Sequence, residues 1–257
     1  MYMAKQAPKK IDSSIADKKL PSAYSLVKPS IQALRVNSGT IIGLLFSPLI
    51  AVIPFSIILL AVGTSLQKTA NVTHVESTGL FFSIMLVILY VAIIAFFILC
   101  SEALLFATLQ SVRGNKTTYS LALQAAAHNF GNYIGLMATM LILSVLGLVC
   151  LVIPGLFIIK RYYLAPFYMI DHNRGIAEAL NQSQEDTKKY GGIWGLMGLW
   201  FVIVVLFFIP AVGWLFTFAG TIIFCCATAL RYEQIQALNA TAKPGRKTAA
   251  RRRTAAA

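Results

Sequence analysis

Charge is what this chain has least of. Lys, Arg, Asp and Glu make up 12% of its 257 residues, against about 25% in ordinary soluble chains. With 58% hydrophobic residues and a mean hydropathy of +0.73, the chain is too apolar for a water-soluble globular domain, and its long uncharged runs read as membrane spans. Cysteine is also sparse. Cys100, Cys150, Cys225 and Cys226 all fall in apolar runs, with no CxxC and no Cys/His cluster. They indicate neither a disulfide framework nor a zinc site and read as small packing residues. The three histidines, His74, His128 and His172, are scattered, and there is no HExxH, Walker A or GxSxG motif. No catalytic residue, metal or cofactor is therefore assigned, and no enzyme is expected. The first 37 residues are polar and lysine-rich, so no cleavable signal peptide is expected and the first span would serve as an uncleaved anchor.

What charge there is has a pattern. Nineteen of the 22 lysines and arginines lie in the two tails and in two short stretches between apolar runs. Basic loops are retained in the cytoplasm, so the net charge of +13 is read first as topogenic. Six apolar runs follow one another: Gly39 to Leu66, Thr78 to about Ala107, Gly131 to Ile153, Leu156 to Ile170, Gly191 to Ile209 and Val212 to Leu230. About 20 helical residues cross a bilayer core. The fourth run is short and holds Lys160 and Arg161. Discarding it would put one basic tail outside, so an even count is preferred. The expectation is an all-α, six-span protein of the cytoplasmic membrane with both termini in the cytoplasm. It has a basic tail over 1–22, a membrane domain over 23–235 and a disordered basic tail over 236–257. Pro48 and Pro54 predict a kinked or broken first span, and Pro154-Gly155 predicts a turn.

Three spans begin alike, with glycines four apart and then two large aliphatic residues: Gly39 and Gly43, Gly131 and Gly135, Gly191 and Gly195. An Ile-Pro step recurs downstream at Pro54, Pro154 and Pro210. Amphipathic stretches precede the starts: Tyr119, Ala122, Leu123, Ala126 and Phe130, then Ile176, Ala179, Leu180 and Ser183, with a weaker copy at Val27, Ser30, Ile31 and Leu34. The implied unit is an inner-surface amphipathic helix followed by a hairpin of two spans, used three times. The glycines are read as close-packing positions between spans.

From Ile153 to Gly191 the residues Pro154, Gly155, Arg161, Ala165, Pro166, Phe167, Asp171, Ala179, Leu180, Ser183, Lys189 and Tyr190 stand in a recognisable order. In them the chain resembles a broad set of uncharacterised polytopic bacterial membrane proteins. That set includes the six-span membrane domain attached to some glycerophosphoryl diester phosphodiesterases. The resemblance covers roughly residues 20 to 235. It implies a fold and a membrane location, without the catalytic domain, and transfers no functional residue.

Four features remain as candidates. Lys160 and Arg161 lie within an apolar run, where a basic residue costs about 2.5–3.5 kcal/mol; they either snorkel to the headgroups or contact an anion or lipid headgroup. Glu102, counted from Thr78, is expected near the inner surface, solvated, with Arg113 or Lys116 as partner. Pro166 is expected to kink the fourth span rather than break it. The tail from Lys243 to Ala257 is basic and has no aromatic residue for stacking, which favours an anionic lipid leaflet over nucleic acid as its partner. Protein partners are left unassigned. The function expected is non-enzymatic, either handling lipid or an amphiphile or serving as an envelope scaffold, and the alternative is a small transporter or channel using Arg161.

Overall fold

A computed structural model describes residues 20, 22–69, 76–150, 152–190, 194–209 and 213–254, with side-chain detail for most of those as far as Thr241. Among the described residues the chain is all-helical, with no strand. A short 3₁₀ turn, Ala23–Leu26, leads into α1 (Val27–Leu34), α2 (Ser38–Thr69), α3 (Glu76–Val112), α4 (Tyr119–Cys150), α5 (Val152–Tyr162), α6 (Ala165–His172), α7 (Ile176–Tyr190), α8 (Trp194–Phe207) and α9 (Gly213–Thr254). Among the described residues three helices are long and apolar enough to cross a membrane, over Ser38–Ile58, Ser83–Val112 and Tyr119–Gly147. The apolar stretch Gly195–Val205 is shorter.

Consecutive helices pack in pairs. α2 lies chiefly on α3, α4 on α5, and α8 on α9, while α3 also meets α4 and α9, and α1 lies on α9 and α3. Where glycine opens a seam, backbones come close. A Cβ built on Gly147 would stand 2.7 Å from Ile158 Cδ1 and 2.8 Å from Gly155 Cα, and one on Gly220 would stand 2.8 Å from Ile203 Cγ1. With lipid tails as apolar as leucine, such contacts are what hold spans together.

The packed interior sits at one end. Its largest cluster joins Leu109 of α3, Tyr133 and Leu136 of α4, Leu164 to Ile170, Ala179 of α7, and Ala229, Tyr232 and Ile235 of α9. Toward the other end the described side chains face outward: Ile50, Leu60, Val87, Leu141 and Phe201 are all exposed. Exposed rows of this kind on apolar helices are the surface that hydrocarbon covers.

Several local expectations change. The fourth apolar run is two helices. α5 ends at Tyr162, and α6 starts after Tyr163 and Leu164, with Phe167 and Tyr168 N–H both donating to the Leu164 carbonyl. Pro166 falls in the first turn of α6, where its missing N–H is not needed, so the helix is broken here rather than kinked. At eleven residues, about 16 Å, α5 does not by itself match a bilayer core. Pro154 and Gly155 lie within the first turns of α5 and do not form a turn. Of the two outcomes expected at Pro48 and Pro54, a break is excluded, since α2 runs through both as one helix. The amphipathic stretch 119–130 is not a separate surface helix but the first third of α4, because nothing after Phe130 interrupts its helical hydrogen bonding. α9 is one helix over Gly213–Thr254. Gly191 and Pro210 lie outside the described residues.

Candidate functional site

The end of α3 is fixed before its ionic partners arrive. Gly114 adopts φ +77°, a conformation glycine takes without steric penalty. Asn115 N–H reaches back to the Gln110 carbonyl at 2.9 Å and Gly114 N–H to the Ser111 carbonyl at 3.0 Å, which is the Schellman closure of a helix C-terminus. Asn37, buried between α1 and α2, pins the loop that follows. Its Nδ2 donates to Ser111 Oγ at 2.9 Å and to the Asn115 carbonyl at 2.7 Å, and its Oδ1 accepts from Thr117 N–H at 2.8 Å. Thr40 Oγ1 donates to the Thr117 carbonyl at 2.8 Å. The α3–α4 connection is thus a built corner, and Arg113 projects from it.

Arg113 is the centre of the site. Its Nη1 and Nη2 donate to the two carboxylate oxygens of Asp171 at 2.6 and 2.7 Å, and its Nε donates to Glu233 Oε1 at 2.7 Å. The planar fork matches a carboxylate two bonds at a time. Tyr232 Oη completes the shell, donating to Asp171 Oδ2 at 2.8 Å. Its ring stacks on Phe167 at 5.7 Å and meets Tyr168 edge-on at 5.0 Å. One guanidinium therefore ties the ends of α3 and α6 to the middle of α9. Burial by itself would raise the Asp171 carboxyl, but the hydrogen bonds and charge of Arg113 outweigh it and hold that group below its usual range. At Glu233 burial wins, and Arg113 only partly offsets the rise.

A second cluster adjoins it. Asp186 of α7 accepts from the Tyr168 hydroxyl, from Gln182 Nε2 at 3.1 Å and from Asn239 Nδ2 at 3.0 Å. Asn239 Oδ1 in turn accepts from Tyr190 Oη at 2.8 Å and Lys189 Nζ at 3.1 Å. Asn173, at φ 48°, closes α6 in the left-handed conformation that asparagine tolerates and turns the chain into α7. Two acidic residues in apolar surroundings are thus each met by several donors, the condition for burying charge without a large penalty.

The residues singled out by sequence fall elsewhere. Lys160 lies over the Phe157 ring at 5.5 Å. Arg161 offers its backbone carbonyl to Ser183 Oγ at 3.0 Å and Thr187 Oγ1 at 3.4 Å, while its buried Nε has no hydrogen-bond partner. Neither joins the Arg113 cluster. Glu102 is buried at 1% exposure, ten residues or about 15 Å inside the end of α3, and pairs with neither Arg113 nor Lys116 among the described residues. The expectation of a solvated Glu102 fails because α3 continues three turns beyond it. Lys189 turns to Asn239 and the Tyr190 ring.

The glycines divide. A Cβ at Gly43 would touch Tyr119 at 3.6 Å and one at Gly135 would clash with Ile176 Cδ1 at 2.6 Å, whereas Gly39 and Gly131 face open space. Gly195 opens α8 next to buried Leu196. Sequence reasoning missed the Arg113 cluster because its members lie 58 and 120 residues apart. The available signal was the scarcity of acid: with nine Asp and Glu in the chain, those flanking apolar runs are worth pairing with nearby bases.

Among the described residues no group of His, Cys, Asp and Glu could hold a metal ion. A scan against protein-family models and searches of curated proteins and of solved structures find no match to this chain.

Proposed function

We propose that the protein is a non-enzymatic, multi-pass component of the cytoplasmic membrane. It crosses six times as three hairpins, with both termini and the Arg113 cluster on the cytoplasmic side, and it serves as an envelope scaffold that holds lipid or an amphiphile at that surface. The pairing of α2 with α3, α4 with α5 and α8 with α9 supports the hairpins, as does the repeated glycine pattern at Gly43 and Gly135. The likeness to the membrane domain of glycerophosphoryl diester phosphodiesterases belongs to the same proposal and rests on the motif alone. Its members Ala165, Pro166, Phe167, Asp171, Ala179 and Ser183 lie buried or half-buried where α6 and α7 pack together.

The observation that carries the scaffold reading is the saturation of Arg113. Its fork is taken by Asp171 and Glu233, so the charges at this end bind the helices to one another. A transporter or catalyst leaves such groups converging on an open site. The basic residues of the tails remain for anionic lipid, each contributing about 1 kcal/mol near the surface.

One observation favours the transport alternative: the Arg161 Nε is buried without a hydrogen bond. Replacing Arg161 with cysteine, in a chain with Cys100, Cys150, Cys225 and Cys226 replaced by alanine, separates the two readings. Normal insertion with no reaction toward a membrane-impermeant thiol reagent is the scaffold outcome. Rapid labelling would indicate an aqueous path along α5 and overturn it.

A further inference from the structure

We propose that Glu102 is a proton-binding site within the membrane, a carboxyl that is carried neutral in the folded protein and is separate from the charge network at the cytoplasmic end. Its surroundings supply no compensation for a negative charge. The side chain is 1% exposed, and its Oε2 meets no hydrogen-bond donor among the described residues. It sits inside the apolar span Ser83–Val112. Arg113 lies eleven residues further along α3 and, at 100° per residue, on nearly the same face, but about 16 Å away along the axis. Leu105 and Leu109 stand between them, and the guanidinium is already committed to Asp171 and Glu233.

The elements packed against α3 bring no ion pair to Glu102 among the described residues; Arg231 of α9 is buried too, but it lies two residues before Glu233 and so near the level of Arg113. From α4 comes the buried Tyr133, a neutral phenol with its hydroxyl 3.4 Å from Ser101 Oγ. From α9 come Cys225 and Cys226, both free thiols. On α3 itself Cys100 is shared with Ser47 of α2 at 3.2 Å, and the only charged residue of α2 is Lys68, near its far end. α1 offers the exposed Lys28, and α6 offers Asp171 and His172 at the level of Arg113. An ionised carboxylate here would be a buried, unpaired charge, the costliest arrangement a protein interior can hold. Taking up one proton on a carboxylate oxygen removes that cost and leaves a neutral acid, which apolar neighbours and hydroxyls tolerate.

The inference rests on α3 crossing the membrane, and the test keeps the two apart. Full-length protein in phosphatidylglycerol-containing vesicles is treated with dicyclohexylcarbodiimide, which adds to protonated carboxyls in apolar surroundings, or with a water-soluble carbodiimide, and the adducts are mapped by mass spectrometry. The expected result is a lipophilic adduct at Glu102 that declines as pH is raised, no adduct there from the soluble reagent, and loss of the adduct in Glu102→Gln. Infrared spectra of the wild-type protein give an independent reading: a protonated carboxyl band that persists at neutral pH. Absence of both the adduct and the band in folded protein would overturn the proton site alone. Equal labelling by the soluble reagent would overturn the membrane placement of this part of α3 as well.

Discussion

At the scale of single residues, the fold depends on how a few charges are matched. Removing the guanidinium in Arg113→Ala leaves Asp171 and Glu233 largely buried without their cation, and breaking such a pair destabilises by about 3–5 kcal/mol. Arg113→Lys keeps the charge but loses the fork, so it is expected to recover only part of that loss. Thermal unfolding of the purified variants in detergent measures both, and wild-type stability in Arg113→Ala would refute the account of the cluster. The acid response follows from Asp171. Its folded carboxyl titrates below the unfolded one, so its contribution is present above the ordinary carboxylate range, about pH 4, and fades as pH falls through the lower folded value. Glu233 is raised and works in the opposite sense, favouring the folded state most below its ordinary value and less as pH rises through the elevated one. Asp171→Asn is therefore expected to be less stable at neutral pH and to lose less further stability on acidification than the wild type, as followed by melting temperature from pH 7 to pH 3. Lone charges in apolar runs were visible in the sequence, which is why Lys160, Arg161 and Glu102 stood out. Arg113, Asp171 and Glu233 sit at the ends of apolar runs, look like ordinary loop charges there, and acquire their meaning only when the ends of α3 and α6 meet the middle of α9.

At the scale of helices, glycine positions test which seams are close. Gly147→Ala is expected to destabilise by about 1–3 kcal/mol, because the added methyl meets the Gly155 backbone, which cannot turn aside. Gly131→Ala meets nothing within 4 Å and removes a flexible residue from mid-helix, so it is expected to be neutral or to stabilise by about 0.5–1 kcal/mol. Unfolding in a graded denaturing detergent compares the two, and equal effects would contradict the packing described. The sequence pattern located the helices well, since apolar length and the glycine repeat depend on local composition. It did not locate their breaks. Pro48 and Pro54 leave α2 continuous, whereas α5 and α6 separate at Tyr163 and Leu164, before Pro166. Whether a proline kinks, breaks or merely begins a helix depends on where the freed carbonyl finds a donor, and that is set by neighbours rather than by the proline. The same limit applied to the glycine motif. Gly43 and Gly135 make contacts, Gly39 and Gly131 do not, and the close backbone-to-backbone approach of Gly147 to Gly155 belongs to no repeat.

At the scale of the whole molecule, the packed core and ion pairs gather at the end where the basic loops lie, and the apolar side chains at the other end face outward. The proposed topology takes its physical basis from that polarity: it would leave the charged, hydrogen-bonded end in water and the apolar rows in lipid. The topology itself is the claim on which the hairpins, the scaffold role and the depth of Glu102 depend. Its most direct measurement uses single cysteines, placed one at a time at Lys116 and at Ala257 in a chain with the four native cysteines replaced, and an impermeant thiol reagent applied to intact cells and then to permeabilised ones. Protection of both positions in intact cells and reaction after permeabilisation is the predicted result. Labelling of either position from outside intact cells would contradict it.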